Sequence, residues 1–141
     1  MGITLYSKNK SIDMGYFGFS ALRNTVAELA HEKLYAHYKE LYTHVPYSEP
    51  ARTEFFEHYD KKTDELIETL GVPVEIYYFL YASDCEASMS YKVCKELYKL
   101  IKEHDDNVCY GYFGRTDCAM FKDFKEIVEE CAKNRHVMRW Y

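Results

Sequence analysis

Three stretches of this sequence combine glycine, tyrosine and charged side chains in a way that suits a small anion. They are residues 11–19 (SIDMGYFGF), 83–88 (SDCEAS) and 110–118 (YGYFGRTDC). Each is expected to run into the start of a helix, where unpaired backbone N–H groups and a partial positive charge favour an anion. Two of them share the tripeptide Tyr-Phe-Gly. Glycine lets backbone approach a ligand, and an aromatic ring can stack on a flat base. Arg115, and Arg23 one turn into the first helix, could fork onto a phosphate or carboxylate. The candidate ligand-binding set is therefore Tyr16, Phe19, Arg23, Asp84, Tyr112 and Arg115: arginines neutralise, aromatics stack, and Asp84 accepts from a hydroxyl. A purely structural account of the same residues stands beside it. In that account the glycines permit tight turns, the aromatics fill gaps between helices, and the arginines pair with neighbouring acids. The spacing GxxG is no phosphate-loop signature.

Other chemistries have less to stand on. Asp84, Glu86 and Ser88 offer alternating oxygens as a calcium loop does, but the turn glycine is missing, Ser90 stands six positions past Asp84, and Lys95 stands at the twelfth position where the bidentate glutamate belongs. Helix capping is the expected role for Asp84, Glu86 and Ser90, and no metal or cofactor is expected. The five cysteines, Cys85, Cys94, Cys109, Cys118 and Cys131, are odd in number and lack CxxC spacing. They read as free thiols of a reducing compartment. Cys85 and Cys118 fall near expected helix starts, which favours a thiolate, so a cysteine-dependent enzyme is an alternative. No GxSxG, HExxH, Walker or dinucleotide fingerprint supports catalysis. Four of the six histidines, His31, His37, His44 and His58, fall on helices among charged residues.

The elements that must position these groups follow from periodicity. Residues 3–7 alternate as a strand; residues 8–18 read as a long loop. Phe19, Leu22, Val26, Ala30, Leu34, Tyr38, Leu41 and Val45 form one stripe on a long helix ended by Pro46. A second helix starts near Pro50, with Ser48 a candidate cap; Phe55, Tyr59, Leu66 and Leu70 are its stripe and Gly71 its stop. Residues 74–81 fit a buried strand or a short helix by periodicity, and Pro73, suited to a first helical turn, favours the helix. Residues 83–90 form a loop, and Ser90 caps a helix carrying Val93, Leu97, Leu100 and Ile101. Residues 108–113 are a strand or extended loop. Thr116 or Asp117 caps a last helix, and residues 137–141 form a strand that pairs with 3–7. The reading is a single α+β domain over 1–141, predominantly helical with about five helices, on a small sheet that joins the N- and C-terminal strands.

Composition limits the partners. The chain has 141 residues, a net charge of −5 and 15 tyrosines. An acidic balance argues against general nucleic-acid binding. No apolar run reaches the ~20 residues a membrane span needs, and no leader pattern is seen at the N-terminus. A cytoplasmic location is expected. The tyrosine load would also suit a protein interface, and homo-oligomerisation is left open.

Residues 14–23 (MGYFGFSALR) resemble a YxGF..LR motif, and residues 79–86 (FLYASDCE) followed by Cys94-Lys95-Glu96-Leu97 resemble an hSDCDG…C..L block. Together they are similar to a family of small uncharacterised bacterial and phage proteins, although Glu86-Ala87 stands where the family has aspartate-glycine. The resemblance implies a phage or prophage setting within the host cytoplasm and no known activity. It raises the expectation of a non-enzymatic anti-defence protein that sequesters a nucleotide-like or other anionic small molecule. The alternative is a protein–protein inhibitor, with a host defence protein as its partner, or a structural phage component, acting through a tyrosine-rich surface.

Overall fold

The computed structural model describes residues 2–107 and 120–141. The expected strand at 108–113 and the expected caps Thr116 and Asp117 lie outside them. Strands β1 (Gly2–Tyr6) and β2 (Ser11–Gly15) lead into helices α1 (Tyr16–Ala30), α2 (Glu32–Thr43), α3 (Ala51–Thr69) and α4 (Val74–Tyr81). Strand β3 (Ala87–Met89), helices α5 (Tyr91–Ile101) and α6 (Phe121–Asn134), and strand β4 (Met138–Trp140) complete the order. The fold is α+β and predominantly helical, with a four-stranded antiparallel sheet in the order β2-β1-β4-β3.

The expected union of the two terminal strands is present: Leu5 pairs with Trp140 and Tyr6 with Arg139. Alternation along each strand sends Ile3, Leu5, Ile12, Met14, Met89, Met138 and Trp140 into one core. Helices α1, α5 and α6 pack against that inner face. The helix over 74–81 forms as the Pro73 signal predicts, and Gly71 ends α3 in the left-handed region at φ 71°.

Several expectations are corrected. Residues 8–18 are not one loop, because Ile12 and Met14 alternate inward and make β2. Residues 83–90 contain β3, so Asp84 and Glu86 precede a strand and cap no helix. The single long helix over 19–45 is two. His31 adopts extended backbone (φ −172°, ψ 140°), and its Nδ1 accepts the Lys33 N–H at 3.0 Å, so a new helix starts there. Ser48 is not the cap of α3; Pro50 holds that position, and of the expected stripe only Tyr59 and Leu66 are buried. Ser90 precedes α5 but makes no side-chain cap bond. The last helix begins at Phe121, where Asp123 accepts the Met120 N–H at 3.2 Å.

The turn between β1 and β2 is fastened to α6 by Glu130. Its carboxylate accepts from Ser7 Oγ, from Asn9 Nδ2 at 3.0 Å and from His136 Nδ1 at 2.9 Å. Lys10 adds ion pairs to Asp123 and Glu126. Burial pushes the Glu130 carboxyl upward, but the bonds from Ser7 and His136 outweigh it and hold its pKa below the ordinary 4.5. A lowered folded pKa stabilises the fold above the unfolded value and loses that contribution as pH falls through the folded one. Urea midpoints at about pH 7 and about pH 3.5 should therefore converge in Glu130→Gln more than in the parent. An unchanged difference between the two midpoints would remove Glu130 from the acid response.

Candidate functional site

Of the predicted site residues, the described ones, Tyr16, Phe19, Arg23 and Asp84, do not assemble into an open pocket. Phe19 is 1% exposed, with its ring 5.2 Å from Trp140 and 6.4 Å from Phe79. It is core and cannot stack on a ligand. Arg23 is 5% exposed. One terminal nitrogen of its guanidinium donates to the carbonyls of Phe79 at 2.7 Å and Ala82 at 2.6 Å. These lie at the C-terminal end of α4, where a cation is favoured. The rings of Phe19, Phe79 and Trp140 surround the charge at 4.8, 5.7 and 5.6 Å. Burial lowers the guanidinium's pKa from the ordinary 12.5, against the pull of Tyr38, Tyr42 and Asp84. Arg23 thus serves the fold, and its partners are carbonyls instead of the carboxylates that the structural account expects.

Tyr16 is half-buried at the start of α1 and hydrogen-bonds to the Cys85 thiol, and Cys85 donates to Asp84 Oδ1 at 3.3 Å. Asp84 is exposed, in a turn where Ser83 Oγ accepts the N–H groups of Cys85 and Glu86. The bond to Asp84 and its charge raise the Cys85 pKa, so this thiol is poorly suited to nucleophilic work at neutral pH. Cys94 and Cys131 are buried against each other, and the bond to Cys131 together with burial keeps Cys94 protonated. Tyr112, Arg115, Cys109 and Cys118 lie outside the described residues. Among the described residues no cluster of three or more His, Cys, Asp or Glu could hold a metal. No helix among the described residues is long and apolar enough to cross a membrane.

A different surface brings the sought chemistry together: the face of the sheet away from the helices. Register places Ser11, Tyr6, Arg139 and Ser88 in one row across all four strands. Tyr141 extends β4 by exchanging backbone hydrogen bonds with Thr4 at 2.9 and 3.2 Å. Its ring meets Tyr6 edge-on, with centroids 5.5 Å apart. This ring pair forms a ridge between two hollows. One, of about 420 Å³, is lined by Tyr6, Glu86, Ser88, Arg139 and Tyr141. The other, of about 350 Å³, is lined by Thr4, Tyr6, Lys8, Asn9, Ser11 and Tyr141. Arg139 and Lys8 are exposed and have no ion-pair partner among the described residues. Glu86 is the one acid lining either hollow among them.

Sequence reasoning missed this face, although the signal for it was present. Once residues 3–7 and 137–141 are paired strands, alternation sets Tyr6 and Arg139 opposite the buried Leu5 and Trp140.

Compared with family models, with curated proteins and with solved structures, the chain finds no match in any of the three.

Removal of Arg23 leaves two carbonyls unpaired beside a cavity. Arg23→Ala should cost about 3–5 kcal/mol and lower Tm by roughly 10 °C or more. A thermal melt within a degree or two of the parent would show that α4 does not depend on this cation.

Proposed function

We propose that the open face of the sheet is a non-enzymatic binding surface for a small nucleotide-like anion. The observation that carries this reading is Arg139. It stands between Ser88 and Tyr6 without an ionic partner among the described residues, beside the Tyr6–Tyr141 ring pair. A guanidinium forks onto phosphate or carboxylate oxygens, a tyrosine ring offers a face to a base, and Thr4, Ser11 and Ser88 supply hydroxyls. Magnitudes limit the affinity. One base stacked on tyrosine contributes about 1–3 kcal/mol, and one charged hydrogen bond about 1.5–3 kcal/mol. Their sum reaches roughly 6 kcal/mol at most, which lies between millimolar and micromolar binding. Tight capture therefore needs Lys8 or further contacts as well. The resemblance to small phage proteins gives such a binder a setting, sequestration of a host nucleotide in the cytoplasm; that part of the reading rests on the quoted motifs alone.

A protein partner is the second reading. Phe17 is 94% exposed, and Tyr42, Tyr47, Tyr78 and Tyr141 are exposed as well. Aromatic residues of this kind anchor protein interfaces.

Isothermal titration against a panel of mono- and dinucleotides, with inorganic phosphate as control, distinguishes them. The expected result is saturable binding of at least one nucleotide, weakened tenfold or more by Arg139→Ala and by Tyr6→Ala. Nucleotide binding that both variants leave unchanged would move the site elsewhere, and silence across the panel would favour the protein partner.

A further inference from the structure

A third hollow, of about 400 Å³, lies between α2 and α3, far in sequence from the sheet face. Helix α2 presents Lys33, His37 and Glu40 to it, at spacings of four and three that put them on one stripe. Helix α3 presents Lys62 and Glu65 over a floor that includes Leu66. Lys33, Lys62 and Glu65 form no ion pair with one another or with any other described residue. A hollow that holds two ammonium groups and two carboxylates is balanced in charge.

His37 gives the hollow a direction. It is 3% exposed and stacked on Tyr59, with ring centroids 3.9 Å apart. Its Nε2 lies 2.7 Å from Thr63 Oγ1, and the Thr63 hydroxyl donates its own proton to the Tyr59 carbonyl at 2.9 Å. Thr63 can therefore only accept from the imidazole, so Nε2 carries the ring proton and Nδ1 presents a lone pair. Nδ1 is buried and has no hydrogen-bond partner among the described residues; Glu40 Oε2 stands 3.8 Å away. Two acceptors thus face each other across a gap that only a donor can bridge. The ring does not supply that donor at neutral pH, because burial lowers the His37 pKa from 6.5 and Lys62 adds to this, against Glu40 and Asp60.

We propose that this groove binds a small zwitterion of the α-amino acid class. The ligand ammonium donates to His37 Nδ1 and to Glu40, its carboxylate meets Lys33 or Lys62, and a short aliphatic stem lies on Leu66. A bare cation or a bare anion would satisfy only half of the charged lining. The proposal is independent of the sheet-face reading.

The test follows the imidazole nitrogens of His37 by NMR in the full chain. Glycine and leucine are the probes, and isoamylamine and 4-methylvalerate are the half-ligand controls. The expected result is a saturable movement of the Nδ1 resonance with an amino acid, larger than with either control at equal concentration. Glu40→Gln, a half-exposed change that should leave the fold intact, is expected to weaken binding at least tenfold. Three outcomes overturn the proposal: no saturable movement with either amino acid up to about 10 mM, equal binding of the amine alone, or full binding by Glu40→Gln.

Discussion

The structure is organised around one buried positive charge. The Arg23 guanidinium leaves water to sit among three aromatic rings and two carbonyls. Desolvating a charge costs several kcal/mol even in a relaxed protein. The offsets lie in the same place: about 1.5–3 kcal/mol for each charged hydrogen bond, about 0.5–2 kcal/mol for each cation–π contact, and the negative end of the α4 dipole. Together they match or exceed the cost. The result is a rivet joining α1, the end of α4 and the indole of β4. Trp140 completes it, since its Nε1 donates to the Ser83 carbonyl at 2.9 Å. The chain leaving α4 is thus held at Ala82 by a guanidinium and at Ser83 by an indole before it enters β3.

That arrangement decides which surface is free for recognition. The rings and guanidinium that could have met a ligand are spent on the inner side of the sheet. What β1 and β4 turn outward is the alternate set, Tyr6 and Arg139. Trp140 packs inward against Arg23 of α1. The same residue types, aromatic and arginine, therefore lie on both sides of one strand pair, with opposite consequences. Inward, they are shielded and structural; outward, they are wet and available.

Much of the architecture was legible in the sequence. Apolar spacing located the helix over 91–101 and the body of the last one. Pro73 marked the helix over 74–81, where spacing alone could not tell helix from strand, and Gly71 marked a stop at its left-handed backbone. The terminal strands were readable because 3–7 alternates and 137–141 is short and apolar-aromatic. What escaped is what local pattern encodes weakly. Strand β3 is three residues long, too short for a period to register. Strand β2 is broken up by polar residues on its outer face. The break at His31 depends on a ring nitrogen accepting a backbone N–H, a role its residue type does not announce. The site reading failed at Phe19 and Arg23 for a related reason. Residue type gives a side chain's chemistry, but burial depends on which elements pack over it, and α4 and β4 come from far along the chain.

Helix α3 stands apart from this tightly fastened body. Of its 19 residues only Tyr59 and Leu66 are buried, and the hollow against α2 separates much of the rest from the core. A segment with so little apolar anchorage opens at lower free energy than the globule as a whole. Its amides would exchange with solvent through local opening, while those of α5 and α6 wait for global unfolding. On this footing α3 is the segment expected to open first, and whatever occupies the groove would tie it to α2.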